Sequence, residues 1–271
     1  MNTNPFTALP PVVKNLLIIN ALLLLISYVS QNALGINLSS ILGLHHYQSS
    51  QFEPYQIVTH MFMHGDIFHL FFNMFALYMF GRVLEMVWGG KRFLIYYLIT
   101  GLGAATLYSV VNAWEVSGFL HDAQAFLNTP NPELFGQFLA EHLPQLQTAN
   151  IEFIDEWKYN PDNLKYAQEA ESFVLSIMDK RLNVPMVGAS GAVYGVLLAF
   201  GMLFPNTELM LLFPPIPIKA KYMVMVYGAI ELYLGFSNNP DDNVAHFAHL
   251  GGMLFGVILI KMWQKNRFQR F

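Results

Sequence analysis

The sequence predicts an all-α protein, a polytopic membrane bundle of six transmembrane helices. Of its 271 residues, 54% are hydrophobic and 12% are charged, which is about half the charged fraction of an ordinary soluble domain. A helix needs about 17 to 25 apolar residues to cross a bilayer, and an open sheet edge could not satisfy its backbone there. Six stretches meet this requirement: 13–33, 67–88, 92–114, 186–204, 220–236 and 244–263.

The first apolar stretch is predicted to be a retained helix. It follows a short polar start, MNTNPFTALPP, and no small-residue cleavage pattern comes after it. A cleaved signal peptide would carry such a pattern. The chain also contains no cysteine, which excludes disulfides, thiolate catalysis and thiolate metal ligands.

The distribution of basic residues predicts the orientation of the helices. Connections 34–66 and 237–243 contain no Lys or Arg. By the positive-inside rule, both termini would face the cytoplasm, which requires an even number of spans. We therefore expect a multi-pass protein of the cell (inner) membrane, in contact with the lipid bilayer. Ten basic residues lie on the predicted cytoplasmic side: Lys14, Arg82, Lys91, Arg92, Lys219, Lys221, Lys261, Lys265, Arg267 and Arg270.

The connection between the third and fourth predicted helices is long enough to form a structure of its own. We interpret residues 1–271 as one membrane domain with an extramembrane helical insertion at 115–184. Asn131 is a plausible helix cap with Pro132 at the first helical position, and apolar residues recur at helical spacing over 161–182. The insertion is expected on the non-cytoplasmic face.

Three of the predicted helices begin with polar residues at the same depth. In the predicted topology, the second, fourth and sixth helices all enter from the outer face. Residues four apart share one helix face, and polar side chains inside a membrane bundle generally indicate a functional site. In chain order the residues are His69 and Asn73, Ser190 and Tyr194, and His246 and His249.

Glycines predict which of these helices touch. Gly252 and Gly256 follow His249 on its own face, and Gly191 adjoins Ser190. Small residues at this spacing allow membrane helices to approach to backbone contact. The Ser190 hydroxyl would then lie within hydrogen-bond reach of the His249 ring, about 2.6–3.2 Å. A neutral imidazole there can accept the proton of the attacking hydroxyl.

Donors for a developing oxyanion are expected beside Ser190. The first amides of its helix lack helical partners, and the helix dipole favours negative charge there. His69 and Asn73 can donate from the neighbouring helix, and Tyr194 is placed to stack under His249. No acidic residue has an obvious claim as a third member, so the residues predict a Ser–His dyad and not a triad.

These residues form three motifs. In their residues and their order along the chain, the motifs strongly resemble those of the rhomboid intramembrane serine proteases, and the resemblance covers roughly residues 13–263. The resemblance implies a serine-type endopeptidase with Ser190 and His249 as its dyad, and with His69, Asn73 and the Ser190 amide as its oxyanion site. We assign Gly188 to the same substrate-binding group. The motifs are H-x-x-x-N (His69, Asn73), G-x-S-G with a following Tyr (Gly188, Ser190, Gly191, Tyr194) and A-H-x-x-G-x-x-x-G (Ala248, His249, Gly252, Gly256).

The implied substrates are single-pass transmembrane proteins, cut after a small residue in or near a helix that unwinds easily. No cofactor, metal or nucleic acid is implied. The chain departs from many rhomboids in two places: Tyr55 and Gln56 stand where a Trp-Arg pair is common, and the insertion at 115–184 is larger than in the minimal form.

The same residues have other interpretations. Ser190 could bond its own helix, and His249 could be a satisfied core histidine. A metal cluster of histidines is not expected, since no zincin-type carboxylate pattern or thiolate accompanies them, and His246 would instead line the water-facing entrance. For Glu231, a structural carboxyl and a functional one both stay open.

Two other functional classes use helical membrane bundles of this kind. A non-catalytic, rhomboid-like scaffold that binds membrane proteins or serves their quality control is the alternative to the enzyme. It would be expected to have lost the serine or the histidine, and this chain keeps both. A transporter would call for inverted repeats or discontinuous helices, and neither is evident.

Overall fold

The computed structural model describes residues 9–210, 215–237 and 244–268, and most of these residues are helical. The chain forms two compact units. The first comprises Met1–Leu44, Gln51–Ser109 and Pro185–Phe271, and the second comprises His45–Ser50 and Val110–Val184.

The described residues form thirteen α-helices and one pair of β-strands, joined by turns and loops. A π-helical turn, Leu77–Gly81, joins α4 to α5, and two 3-10 turns lie at His60–Phe62 and Thr148–Asn150. In chain order the elements are α1 (Pro11–Leu34), α2 (Leu38–Leu42), α3 (Gln56–Thr59), α4 (Ile67–Ala76), α5 (Arg82–Trp88), α6 (Gly90–Asn128), α7 (Pro132–His142), α8 (Pro144–Gln147), α9 (Ile151–Tyr159), α10 (Leu164–Leu182), α11 (Ser190–Leu203), β1 (Glu208–Met210), β2 (Pro217–Lys219), α12 (Ala220–Phe236) and α13 (His246–Phe268).

Each of the six apolar stretches forms helix, which confirms a mostly helical membrane protein. Within the described residues, four helices are long and apolar enough to cross a bilayer: Pro11–Leu34, Ile67–Trp88, Gly90–Asn128 and His246–Lys265. Helix α11 has 14 residues, fewer than a span needs, and α12 has 17, at the lower limit of about 17 residues. The number of six spans therefore stays a prediction.

Two features differ from the sequence-based expectation. Helix α6 does not end near residue 114 but continues to Asn128. The strands β1 and β2 pair antiparallel, with Glu208 opposite Lys219, in a chain predicted to be all helical. This short hairpin precedes α12 and leaves the helical character of the fold unchanged.

Helix α11 lies at the centre of the first unit. Ten of its 14 residues are buried, whereas α1 buries only Val13, Leu16 and Asn20. Glycine and alanine recur along α11, so neighbouring helices can approach its backbone closely. The start of α11 therefore lies among the other helices of the first unit, with Ser190 partly buried.

The N-terminus of α1 is bonded to a buried acid on α5. The two carboxylate oxygens of Glu85 accept hydrogen bonds from the amides of Val12, at 2.9 Å, and Val13, at 2.7 Å. These amides have no partner within their own helix, and a negative group at a helix N-terminus also suits the helix dipole. Glu85 therefore joins α1 to α5.

The connection after α1 is held in place by a buried glutamine. The Nε2 amide of Gln56 donates to the carbonyls of Ile41, at 3.1 Å, and Gln51, at 2.8 Å. Leu44 forms an antiparallel bridge with Met186, just before α11. The first connection is thus bonded to the segment that precedes Ser190.

The start of α4 is capped by Asp66. Its Oδ1 accepts the amide hydrogens of Phe68 and His69, at 2.8 and 2.9 Å. These bonds, the one from His69 above all, hold the pKa of the Asp66 carboxyl below its ordinary value. The cap determines where the helix begins and hence the position of His69 on its first turn.

The second unit has its own aromatic core. Asn131 caps α7 by accepting the amide of Leu134 at 2.8 Å, with Pro132 at the first helical position, as predicted. The core side chains are Phe119, Ala123, Phe126, Phe135, Phe138, Leu139, Ile154, Trp157, Ala170 and Val174.

We predict that Glu85→Gln lowers the free energy of unfolding by about 1–3 kcal/mol. A glutamine amide turns one acceptor into a donor, which faces a buried amide hydrogen of Val12 or Val13. Thermal unfolding in detergent measures the effect, with Glu53→Gln, at an exposed position, as the matched control. Equal stability of the two variants would contradict the structural role of Glu85.

Candidate active site

Ser190 and His249 meet across two helices. Ser190 is the first residue of α11, and His249 lies in the first turn of α13. The Oγ of Ser190 is 2.9 Å from the Nε2 of His249, which is hydrogen-bond distance for a hydroxyl and an imidazole. The two residues that the sequence singled out are thus brought together, and the His249 side chain is buried.

Backbone contact between α11 and α13 accounts for this approach. A Cβ added to Gly252 would overlap the carbonyl group of Gly191. No larger residue at position 252 fits without moving one helix, so the glycine sets the spacing of the pair. Gly256 packs against a side chain of α6, because a Cβ at position 256 would overlap the hydroxyl of Tyr96.

Tyr194 supports the imidazole from below. Its ring is parallel to that of His249, with centroids 4.2 Å apart and planes inclined by 8°. Tyr194 follows Ser190 by one helical turn, so one short segment of α11 carries both the hydroxyl and the surface on which the ring rests. The stack restricts rotation of the histidine side chain.

A carboxylate from α12 lies on the far side of the histidine. The Oε2 atom of Glu231 is 2.9 Å from Nδ1 of His249 and 2.6 Å from Nδ1 of His246. The contact with His246 is a well-formed hydrogen bond, whereas the N–H of His249 is close but not aligned with the oxygen. The hydroxyl of Tyr194 donates to Oε1.

Two sequence-based expectations are corrected by this cluster. An acidic group does lie beside His249, although none was expected. His246 does not line an entrance, since its side chain is buried against Glu231. A signal was available: a buried acid needs partners, and the spacing of His246 and His249 places two ring nitrogens on the helix that follows Glu231.

The opposite side of Ser190 is formed by His69 and Gly188. A methyl group at Gly188 would lie 2.9 Å from Nε2 of His69 and 3.5 Å from the Ser190 Oγ. Gly188 also has a φ of 134°, a conformation that residues with a Cβ rarely adopt. The ring of His69 and the Ser190 hydroxyl therefore border one small space that glycine leaves open.

Asn73 is buried one turn below His69. Its Nδ2 donates to the carbonyl of His69, at 3.1 Å, within its own helix. The structure therefore brings His69 to the space beside Ser190, but it bonds the Asn73 amide to α4 itself. An amide has two N–H donors, so this bond leaves one further hydrogen for a bound group.

Two histidines before α4 adjoin the site. Burial lowers the pKa of His60 and of His64 to about 4, so both rings are neutral at neutral pH. The ring of His64 meets that of His69 edge to face, with centroids 5.0 Å apart. Neither ring nitrogen of His64 has a hydrogen-bond partner among the described residues.

A small cavity lies directly beside the serine. Its volume is about 10 Å³, and its lining includes Ser190, Gly188, His60, Ala245 and Ala248. A single water needs about 10–15 Å³ by this measure. The interior next to the hydroxyl is thus large enough for about one water molecule.

Among the described residues, one group of three has ligand atoms close enough to share a metal ion, namely Glu231, His246 and His249. Two ligands about 2.0–2.1 Å from a tetrahedral zinc lie about 3.3 Å apart. The observed separations of 2.6 and 2.9 Å between nitrogen and oxygen are shorter. These distances suit shared hydrogens better than a shared cation.

Comparison with known proteins identifies the family. A family model described as the Rhomboid domain matches residues 51–119 and 167–265, and this match includes α4, α11, α12 and nearly all of α13. The chain belongs to the rhomboid family. The residues between the two matched segments fall within the second compact unit.

Two relatives of this rhomboid chain are mitochondrial proteins by name. It is 26% identical over 233 residues to an uncharacterized mitochondrial rhomboid protein of Schizosaccharomyces pombe, covering 82% of this chain and 56% of the relative. It is 24% identical over 214 residues to RHOMBOID-like protein 12, mitochondrial, of Arabidopsis thaliana, covering 79% and 47%. The chain therefore spans about half the length of these curated relatives.

We predict that Gly252→Ala lowers the free energy of unfolding by about 1–3 kcal/mol, because the methyl group overlaps the Gly191 carbonyl. The thermal midpoint in detergent measures this loss. Gly118→Ala is the control, since no described atom lies within 4 Å of a Cβ there and alanine favours the helix. A Gly252→Ala protein as stable as the control would show that the helices are not in backbone contact.

Proposed function

We propose that this rhomboid is an intramembrane serine endopeptidase that cleaves transmembrane segments of membrane proteins near the outer face. One observation carries the proposal: the Ser190 hydroxyl lies 2.9 Å from the His249 Nε2 inside a helical membrane protein. A serine that merely satisfied its own helix would not need a histidine from another helix as its partner. The membership in the rhomboid family supports the same activity.

In the proposed mechanism, the Ser190 oxygen attacks the scissile carbonyl while its proton passes to the Nε2 of His249. The peptide C–N bond then breaks, the histidine gives this proton to the leaving amine, and an acyl-enzyme forms on Ser190. A water molecule then gives a proton to His249 and attacks the ester carbonyl. The bond between the acyl group and Ser190 breaks, and His249 returns the proton to the Ser190 oxygen as the second product leaves. The cavity beside Ser190 has room for about one such water.

The negative charge that develops on the carbonyl oxygen needs donors. The first amides of α11 have no partners within the helix, and the helix dipole favours an anion there. The His69 ring borders the same small space as the Ser190 hydroxyl. We assign the remaining N–H of Asn73 to the oxyanion as well. Each such donor can lower a barrier by about 2.7–4 kcal/mol.

In the proposed topology, the chain crosses the cell (inner) membrane six times. Both termini then lie in the cytoplasm. Helices α11 and α12 then cross the membrane as the fourth and fifth spans, and 115–184 is an extramembrane helical insertion within one membrane domain. The absence of Lys and Arg from 34–66 and 237–243 supports this orientation. The substrates are single-pass membrane proteins whose helices unwind easily.

We predict that Ser190→Ala abolishes both labelling by a fluorophosphonate probe and cleavage of a transmembrane substrate. His249→Ala should do the same, because the hydroxyl then loses its base. Gel-based detection of the labelled protein in detergent measures the first effect. Ser27→Ala is the matched control, since the Ser27 hydroxyl bonds only a backbone carbonyl of α1 in the described contacts.

Equal labelling of the wild type and Ser190→Ala would refute the protease. Such a result, with substrate helices still captured by the wild type, would favour the non-catalytic scaffold.

We predict that Asn73→Ala slows turnover by tens to hundreds of fold, which is at or below the loss of about 10²–10³ for a complete oxyanion donor. The fold should be retained, which the thermal midpoint would verify. Asn32→Ala is a suitable control, because Asn32 makes the same type of bond to its own helix, at 2.8 Å to Tyr28, on an exposed face. If both variants turn over at the wild-type rate, Asn73 does not contact the oxyanion.

A further inference from the structure

The proposed dyad uses only one nitrogen of His249. Its Nε2 faces Ser190 at 2.9 Å, while its Nδ1 lies 2.9 Å from the Oε2 of Glu231. The carboxyl group is buried in α12 and belongs to none of the motifs that carry the resemblance to rhomboid proteases. Its position on the far side of the imidazole therefore requires a separate explanation.

We infer that Glu231 is a positioning residue that makes the site a Ser190–His249–Glu231 triad. The inference rests on the proposed protease function and adds a third member to its dyad. Glu231 orients the histidine ring, keeps one hydrogen on Nδ1, and balances the positive charge that forms when Nε2 accepts the serine proton.

The role of Glu231 depends first on which nitrogen of His249 carries the hydrogen. A neutral imidazole carries one hydrogen, on either Nδ1 or Nε2. His249 can accept the Ser190 proton only if the hydrogen is on Nδ1. A carboxylate oxygen is an acceptor, so the hydrogen is more stable on the nitrogen that faces Glu231 than on the nitrogen that faces the hydroxyl.

The charge supplies the second step. Proton transfer from Ser190 turns His249 into an imidazolium in an interior where an unpaired charge is costly. A carboxylate at 2.9 Å compensates that charge without moving. The proton itself stays on the histidine until it passes to the leaving amine, so Glu231 does not gain or lose a proton in the reaction.

Two further side chains hold the carboxylate in place. The hydroxyl of Tyr194 donates to Oε1, and Nδ1 of His246 lies 2.6 Å from Oε2. Tyr194 also stacks against the His249 ring at 4.2 Å. The same tyrosine therefore orients the imidazole and its carboxylate partner, and side chains from α11, α12 and α13 all meet at one point.

The alignment of the Glu231 contact bears on its strength. The His249 N–H does not point directly at Oε2, and catalytic hydrogen bonds in an unliganded enzyme often tighten only when substrate binds. Removing an aligned triad carboxylate can cost about 10⁴ in turnover. We expect a smaller loss here, on the order of 100-fold.

The test compares Glu231→Gln with the wild type. Glutamine keeps the volume and an acceptor oxygen but removes the charge. We predict that kcat for a transmembrane substrate falls on the order of 100-fold, while KM changes less than about threefold, because the substrate does not touch residue 231. The rate of Ser190 labelling by a fluorophosphonate should fall with kcat. Glu231→Asp keeps the charge and should recover part of the loss.

A matched variant distinguishes the positioning role of Glu231 from a purely structural role. Glu85→Gln also neutralises a buried acid in the membrane bundle, and it should lower thermal stability while the labelling rate per folded molecule stays at the wild-type value. If Glu231→Gln behaves in the same way, the positioning role is overturned. If the wild type itself is not labelled at Ser190, the proposed protease fails before the role of Glu231 is reached.

Metal binding gives a distinct result. If Glu231, His246 and His249 were a metal site, zinc added to the wild type would bind with an affinity that Glu231→Gln and His246→Gln both reduce, as measured by calorimetry in detergent. Tight binding lost in both variants, with no change in the labelling rate of Glu231→Gln, would replace the triad by a metal site. The triad predicts the reverse pattern: little zinc binding and slow labelling.

Discussion

Contact between the backbones of α11 and α13 sets the distance between Ser190 and His249. Lipid supplies no hydrophobic drive for helix association, so such a contact depends on close packing of small residues. Gly191 faces Gly252 on α13 and Ala104 on α6. Helix α11 is thus enclosed from two sides along its small residues, and the hydroxyl at its first position has little freedom to move away from the imidazole.

Two acids of the bundle are buried in the part of the chain that the structure describes, and their partners differ in kind. Glu85 accepts hydrogen bonds from two backbone amides of α1, so its oxygens complete a helix terminus. Glu231 is surrounded by side chains that can change protonation or donate, namely Tyr194, His246 and His249. Both arrangements satisfy the polar group, which a low-dielectric interior requires. Only the second places the charge beside a group capable of chemistry.

Hydropathy and glycine spacing were sufficient to predict the helices and the meeting of Ser190 with His249. Both signals are local: an apolar run needs only its own residues, and glycines on one face predict contact without knowledge of the partner's side chains. Glu231 could not be placed in this way, because its role depends on a pairing of α12 with α13 that no spacing within α12 reveals. An acid in an apolar helix is compatible with many structural roles.

The end of α6 was predicted wrongly for a related reason. Hydropathy falls after Trp114, which predicted a boundary, but helix propensity does not fall with it, and the helix continues to Asn128. The pairing of β1 with β2 was not predicted from the sequence. Each strand has three residues, which is too short to show an alternation of apolar and polar residues.

The π-helical turn between α4 and α5 has a consequence for the register of the whole second span. In a regular helix, Asn73 and Glu85 are twelve positions apart and so would point about 120° away from each other. A π turn accommodates one extra residue and cancels about 100° of that angle, which brings both polar groups to nearly the same face. A relative whose helix lacked this turn would need its carboxylate one position earlier to reach the N-terminus of α1. Counting residues along this helix is therefore a less reliable guide to equivalent positions than counting turns.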